Sequence, residues 1–385
     1  MSRIAFFCIP AWGHTNPTVE VVRVLTHQGH QVRYYTFEPF REKLEEAGAE
    51  VLLCDGFLPP APPDLDRKLG KDFAALVEMA ADTTLALEDR VCRELAEFQP
   101  EVIVADSVCF WGKLFAKKLG IPYVCSTTTF AFNSYTARLM KPKPGEMLRT
   151  LLGGARVERK MKLLRQHGYP VEKLTDLIQN DNDTDTIVYT SPQFQPMAET
   201  FSKRYVFVGP SLPEVPNREV KERPLVYVSM GTVVQGKPAF YHRCAEALAG
   251  LDVDAVMSVG TEEMVAALGT LPQNVRAAAR VDQLAVLAQA DAFLTHCGMN
   301  SASEAIWCGV PTVLYPQQSE EAAVADRMEA LGLGLRLKNE GAVREAVNRV
   351  LEEPSYRQKT LEMAETFRNA GGAERAAEKI LSCRR

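Results

Sequence analysis

A histidine just past one apolar run and an aspartate just past another are the sharpest chemical signal in this chain. His14 stands in PAWGHTNP (10–17), beside a glycine and at the start of an amphipathic segment. Its imidazole titrates near neutral pH, which makes histidine the usual general base. Alone, a histidine there is more often a solvated or capping residue. Asp106, in VIVADS (102–107), sharpens the reading. If the two runs are neighbouring strands, its carboxylate accepts a hydrogen bond from one ring nitrogen. The other nitrogen is then able to take a substrate proton.

A second candidate centre lies in THCGMNSASEAIWCGVP (295–311). A strand ending at His296, a turn relaxed by Gly298 and a helix starting near Asn300 or Ser301 would present unpaired N–H groups and a positive dipole end. That is an anion site. Ser301 and Glu304 also fit S-x-x-E, a plain capping box, and spacing alone leaves both readings open. VSMGT (228–232) places Ser229, Gly231 and Thr232 at another strand end, as a phosphate cradle or an ordinary turn.

Positioning such groups calls for an α/β framework. Ile4 to Ile9 is an unbroken apolar run, as expected of a strand covered on both faces. A helix with Asn16 as N-cap, Pro17 in its first position and Gly29 as its stop follows, and then the strand QVRYYT (31–36). This is a βαβ unit. VLLC (51–54), VIVAD, YVCST (123–127) and TIVYTS (186–191) continue the series, with helices over 71–97 and 111–119. A second series runs LVYVSMGT (225–232), DAVMSV (254–259), DAFLTH (291–296) and VPTVLYP (310–316), the last expected to close it. The stretch 208–224, rich in Pro and charge, reads as a linker between two α/β domains. The segments 355–368 and 373–385 read as helices. Ligands of tandem doubly wound domains are expected at the carboxyl ends of the strands.

Bulk properties narrow the partners. The 385 residues are 46 % hydrophobic and 24 % charged, with a formal net charge of −5. That balance gives no general attraction to nucleic acid or anionic membrane, so an anionic ligand needs a local site. Nine cysteines, with no C-x-x-C pair, fit reduced thiols in a cytoplasmic protein. No run approaches the roughly 20 apolar residues of a membrane span. DNDTD (181–185) lacks the glycine and distant glutamate of a calcium loop, and no metal site is expected.

Taken together these segments resemble the family 1 glycosyltransferases of the bacterial macrolide and flavonoid type. The resemblance runs from PAWGHTNP to LGLGLRL (331–337) and is most specific over RVDQLAVLAQADAFLTHCGMNSASEAIWCGVPTVLYPQQSEEAAVADR (280–327). It implies the GT-B fold, two Rossmann-like doubly wound domains facing across a cleft. The acceptor domain would span 1–207 and the nucleotide-sugar domain 225–369, with a helix in 370–385 crossing back to the first. It implies His14 as the base and Asp106 as the carboxylate that orients it. Ser229, Thr232, His296, Gly298, Asn300 and Ser301 match the diphosphate cradle, and Glu304 the ribose carboxylate. Gln283 and the backbone of Val281 match the nucleobase region. The reaction implied is an inverting transfer, with glucose from a UDP donor as the expected case and a UDP-sugar epimerase as an alternative. The UDP-sugar is a co-substrate; neither cofactor nor metal is implied. A monomer or weak dimer is expected.

Two positions depart from the family pattern. An acid followed by Gln is usual where this chain has Glu320-Glu321, the pair that grips the sugar hydroxyls; the second carboxylate would shift donor preference. Arg280 stands where an aromatic is common and would stack on the base or lie on the surface, and Asp282 replaces a proline. For the acceptor, Trp12, Phe57, Phe110, Trp111, Phe130, Phe132 and Met140 are candidates for an apolar wall, with core packing as the other reading. The basic stretch 141–168 keeps a membrane-borne lipid acceptor in view.

Overall fold

Thirteen short strands form two wholly parallel sheets in the computed structural model, which describes residues 1–58, 73–136, 153–178, 180, 182–231 and 238–384. The chain divides into two compact units, Met1–Ser211 with Gly371–Arg385, and Leu212–Ala370. Met140, Thr232, the loop behind Phe57 and the basic residues 141–152 lie outside the described residues.

In the first unit the strands are β1 (Arg3–Phe7), β2 (Gln31–Thr36), β3 (Glu50–Leu53), β4 (Val102–Asp106), β5 (Tyr123–Thr127), β6 (Asp185–Val188) and β7 (Tyr205–Phe207). Their order is β3-β2-β1-β4-β5-β6-β7, so the winding reverses between β1 and β4. Phe7 faces Ala105 across that pair, and Asp106 faces Ser126 of β5. Ile4, Phe6, Val102 and Val104 are fully or almost fully buried, which explains why these strands read as unbroken apolar runs. The same core takes Val22 and Leu25 from the helix Trp12–His27, Leu114 and Phe115 from Phe110–Leu119, and Ala376, Ala377 and Ile380 from Gly372–Ser382. That last helix packs on Trp12–His27. Gly372 N donates to Val208 O at 2.7 Å, and Lys379 pairs with Asp185 at 2.6 Å.

The second unit holds β8 (Leu225–Ser229), β9 (Asp254–Ser258), β10 (Val275–Ala278), β11 (Ala292–Thr295), β12 (Thr312–Leu314) and β13 (Gly334–Arg336). Their order, β10-β9-β8-β11-β12-β13, repeats the first six places of the other sheet, with the reversal between β8 and β11. Both orders are those of a dinucleotide-binding α/β fold.

Several expectations need correcting. VPTVLYP does not close the second series, because β13 follows it. Together with β7 and β10 it escapes a sequence reading, since all three are edge strands of three or four residues, too short to show a period. The first helix begins at Trp12 and not after Asn16. His14 N and Thr15 N both donate to Ala11 O at 3.0 Å, so Pro17 is carried inside a helix already nucleated before it. Asn16 accepts from Lys43 Nζ at 3.0 Å instead of capping. The stretch 208–224 is fastened at both ends. Val208 N donates to Val188 O in the first unit, while Arg218 and Lys221 pair with Asp291 in the second.

Candidate active site

His14 and Asp106 meet at the reversal point of the first sheet. His14 Nδ1 lies 2.8 Å from Asp106 Oδ2, and Val108 N donates to Asp106 Oδ1 at 3.0 Å. The aspartate side chain is 1 % exposed and the histidine 20 %, so a buried carboxylate holds a ring that reaches solvent. An ionised carboxylate only accepts, which puts the ring proton on Nδ1 and the lone pair on Nε2. A third group, absent from the sequence reading, joins them. Thr128 Oγ1, buried just past β5, lies 3.0 Å from the same Nδ1. The hydroxyl run STTT (126–129) beyond the strand beside Asp106 was the available signal. Burial pushes the thiols of Cys8, Cys109 and Cys125 up, Cys125 to about 11, so they add no competing anion at neutral pH.

The second unit repeats the plan at its own reversal point, where Thr295 of β11 faces Ser229 of β8. His296 follows β11, and its ring lies between Gly231 and Gly298: a Cβ on either would come within 2.5 Å of it. The residue is 9 % exposed, and its Nδ1 has no partner among the described residues. Such an atom is one that a ligand group can satisfy. Burial holds the imidazole below its ordinary pKa, opposed by the Glu321 carboxylate and the Ser229 backbone. Gly298 does not supply the turn as expected. Its φ of −59° suits any residue, and the left-handed position is Cys297, at φ 69°, whose N–H is taken by Thr295 Oγ1 at 3.1 Å. Gly298 is needed for room.

The helix there is Met299–Trp307 with Gly298 as its N-cap, so Ser301 lies inside it and forms no capping box with Glu304. Both side chains turn to Gln283 instead. Gln283 Nε2 donates to Glu304 Oε2 at 2.6 Å and to Ser301 Oγ at 3.1 Å. Asn300 is half-buried in the first turn of the same helix. Glu321 is the residue that does form a box. Its Oε2 accepts from Gln317 N at 2.6 Å and Gln318 N at 2.9 Å, ahead of the helix Ser319–Ala330. Glu321 is buried and Glu320 beside it is exposed. Asp282, in the place of the usual proline, caps the helix Gln283–Gln289 by accepting from Ala285 N at 3.1 Å. Arg280 is exposed and Val281 packs against the Tyr227 and Phe293 cluster.

The aromatics separate into two groups. Trp12, Phe57 and Phe132 are exposed, as is Tyr135, which the sequence reading did not single out. Trp12 leans edge-on against Phe40 and Arg90 covers one face of Phe57. Phe110, Trp111 and Phe130 are buried, the first two inside the core of the first unit and the third against Phe194, which corrects their placement in a ligand-facing wall. Four of the five basic residues of the helix Gly154–Gln166 pair within the protein. Arg156 and Arg159 pair with Glu78, Lys160 with Asp82 and Arg165 with Glu158. Among the described residues no helix is long and apolar enough to cross a membrane, and no group of three His, Cys, Asp or Glu side chains is placed to hold a metal ion.

Two parallel units of this topology in tandem make a GT-B protein. The solved structure of CalG4, the calicheamicin glycosyltransferase, is 29 % identical, matches 99 % of this chain and 98 % of its own, and superposes with a TM-score of 0.81. The family described as erythromycin biosynthesis protein CIII-like, C-terminal domain, matches residues 242–378. The NDP-glycosyltransferase YjiC of Bacillus subtilis (strain 168) is 33 % identical over 387 residues, 98 % of this chain and 96 % of that one. The demethyllactenocin mycarosyltransferase of Streptomyces fradiae is 31 % identical over 401 residues, 99 % and 86 % of the two chains. The chain therefore belongs to the family 1 glycosyltransferases of the bacterial natural-product type, and it is a glycosyltransferase.

Proposed function

We propose that the protein moves a sugar, glucose in the expected case, from a uridine diphosphate donor to a hydroxyl of an apolar natural product, with inversion and with His14 as base. The observation that carries this reading is the 2.8 Å contact between His14 Nδ1 and the buried Asp106 carboxylate at the sheet's reversal point. His14 Nε2 takes the acceptor's hydroxyl proton as that oxygen attacks the anomeric carbon. The bond from that carbon to the diphosphate breaks, and the nucleoside diphosphate leaves with the electron pair. Attack from the face opposite the leaving group inverts the centre. Asp106 offsets the charge that develops on the imidazole, so its worth grows in the transition state.

The donor is assigned to the second unit. The helix start at Met299, with Asn300, Ser301 and the unsatisfied ring nitrogen of His296 beside it, suits a diphosphate. Ser229 and Thr232 would complete that cradle, and Glu304 would receive the ribose hydroxyls. Glu320 is exposed and is assigned to the sugar hydroxyls, while Glu321 caps a helix with one of its oxygens. The exposed Trp12, Phe57, Phe132 and Tyr135 supply apolar surface for a flat acceptor.

The test offers the protein a pool of nucleotide sugars with a library of polyphenol and macrolide acceptors, read by mass spectrometry. A hexose-sized mass gain on an acceptor is expected, with nucleoside diphosphate released in equal amount. Nucleotide sugar converted without any acceptor would replace this reading by an epimerase. His14→Ala should bind UDP as the unaltered protein does and lose transfer to alkyl alcohols. Undiminished transfer by that variant would remove His14 from the mechanism.

A further inference from the structure

Beneath the donor site lies a phenol that the mechanism above does not use. Tyr227, on β8, is 1 % exposed and stacks on Phe293 of the neighbouring strand, with ring centroids 4.7 Å apart and planes 15° from parallel. Its hydroxyl donates to Gln283 Oε1 at 3.3 Å. The other end of that amide donates to Glu304 Oε2 at 2.6 Å and Ser301 Oγ at 3.1 Å. Direction along this chain is fixed by chemistry. An ionised carboxylate only accepts, so the NH2 of Gln283 must face Glu304, its carbonyl must face Tyr227, and the phenol must be the donor. Burial pushes the phenol up to about 12, so it keeps its proton at any working pH. Gln283 thus has protein partners at both ends of its amide, an arrangement unlike that of a residue reaching for a nucleobase.

We propose that Tyr227 and Gln283 are positioning residues which together hold the Glu304 carboxylate in the orientation that reads the vicinal diol of a nucleoside. The inference rests on the assignment of Glu304 to the ribose. Without the phenol, Gln283 Oε1 loses its hydrogen bond and the amide is anchored at its Glu304 end alone. The Gln283 side chain can then shift together with the carboxylate it is bonded to, and Glu304 samples other rotamers before a ligand arrives. Preorganisation is lost while the ligand's own contacts stay the same.

The measurement is calorimetric binding of UDP and of 2′,3′-dideoxy-UDP to the full chain, for the unaltered protein, Tyr227→Phe, Gln283→Met and Glu304→Ala. Tyr227→Phe keeps the ring stack on Phe293, and its melting temperature checks that the fold is intact. The readout is the ratio of the two dissociation constants, the preference for the diol. Tyr227→Phe should reduce it about five-fold, the worth of one neutral hydrogen bond, and Gln283→Met by about ten-fold or more. Glu304→Ala should abolish it. A purely structural role for Tyr227 would weaken both nucleotides alike and leave the ratio unchanged, which overturns the proposal. If Glu304→Ala abolishes the preference and Tyr227→Phe keeps it whole, the positioning role fails and the ribose assignment stands. If Glu304→Ala leaves the preference intact, the ribose assignment fails and the proposal falls with it.

Discussion

The imidazole of His14 faces two oxygens with a single nitrogen, and only one of those oxygens belongs to a charged group. Asp106 selects the tautomer, while Thr128 restricts the ring plane. Their removal should differ in degree. Asp106→Asn can donate to Nδ1 and stabilise the wrong tautomer, so kcat/KM for an alkyl alcohol should fall by about 10³- to 10⁴-fold, the scale of the like change in a serine-protease triad. Thr128→Val removes one hydroxyl and should cost about ten-fold, with recovery in Thr128→Ser. Both losses should shrink for an acidic phenol, which needs little help from a base. His296 makes a separate prediction. Its pKa is lowered by burial, so the unfolded chain binds the proton more readily. Stability from this residue is full above the ordinary histidine pKa of about 6.5 and is lost as pH falls from there towards the folded value. Urea unfolding of the second unit at pH 7.5 and 5.5 should therefore show a smaller acid loss in His296→Gln than in the unaltered protein. His14, Asp106 and His296 were legible in the sequence because each stands at the end of an apolar run. Thr128 and Tyr227 were not, since a hydroxyl among hydroxyls and an aromatic inside a strand look the same whether they are structural or directed at a site.

At the scale of elements, what could be read was the alternation of strands and helices, and what could not was where helices start. Both candidate sites include such a start. The sequence signals for the first helix were Asn16 and Pro17, yet it begins at Trp12, with Ala11 O accepting from His14 N and Thr15 N, and so His14 lies in the first turn. In the second unit the S-x-x-E pattern fell at 301–304, while the working box is at Gln318 and Glu321. A capping pattern states only that four residues could form a box; the strand feeding the helix decides which set does. The steric demand at Gly298 allows a clean test. Its backbone is ordinary, so Gly298→Ala adds only a methyl group 2.5 Å from His296 Nε2. The ring or the helix start must move. UDP affinity should drop by about ten-fold or more, the scale of losing one charge-assisted hydrogen bond, with little change in helix content by circular dichroism.

For the whole molecule, the first unit depends on residues from both ends of the chain. Deleting everything after Ala370 removes Ala376, Ala377 and Ile380 from its core and breaks the pairing of Lys379 with Asp185. The loss should be on the order of 4 kcal/mol, with hydrogen exchange accelerating across β1, β4 and the helix Trp12–His27 and not in the second unit. The two units divide at Ser211 and Leu212, inside the charge-rich stretch 208–224, whose fastening to Asp291 did not show in sequence because ion pairs between distant residues leave no local pattern. The return of the chain to its first unit also sets an order of events at the ribosome. Everything needed for the second unit lies in one stretch, whereas the first must wait until Leu212–Ala370 has been made. At about 5–20 residues per second, that leaves the side of Trp12–His27 on which Gly372–Ser382 packs uncovered for roughly 8–30 s in each nascent chain. The unit carrying the proposed base is thus begun first and finished last, and that open surface is where a holding chaperone would find it.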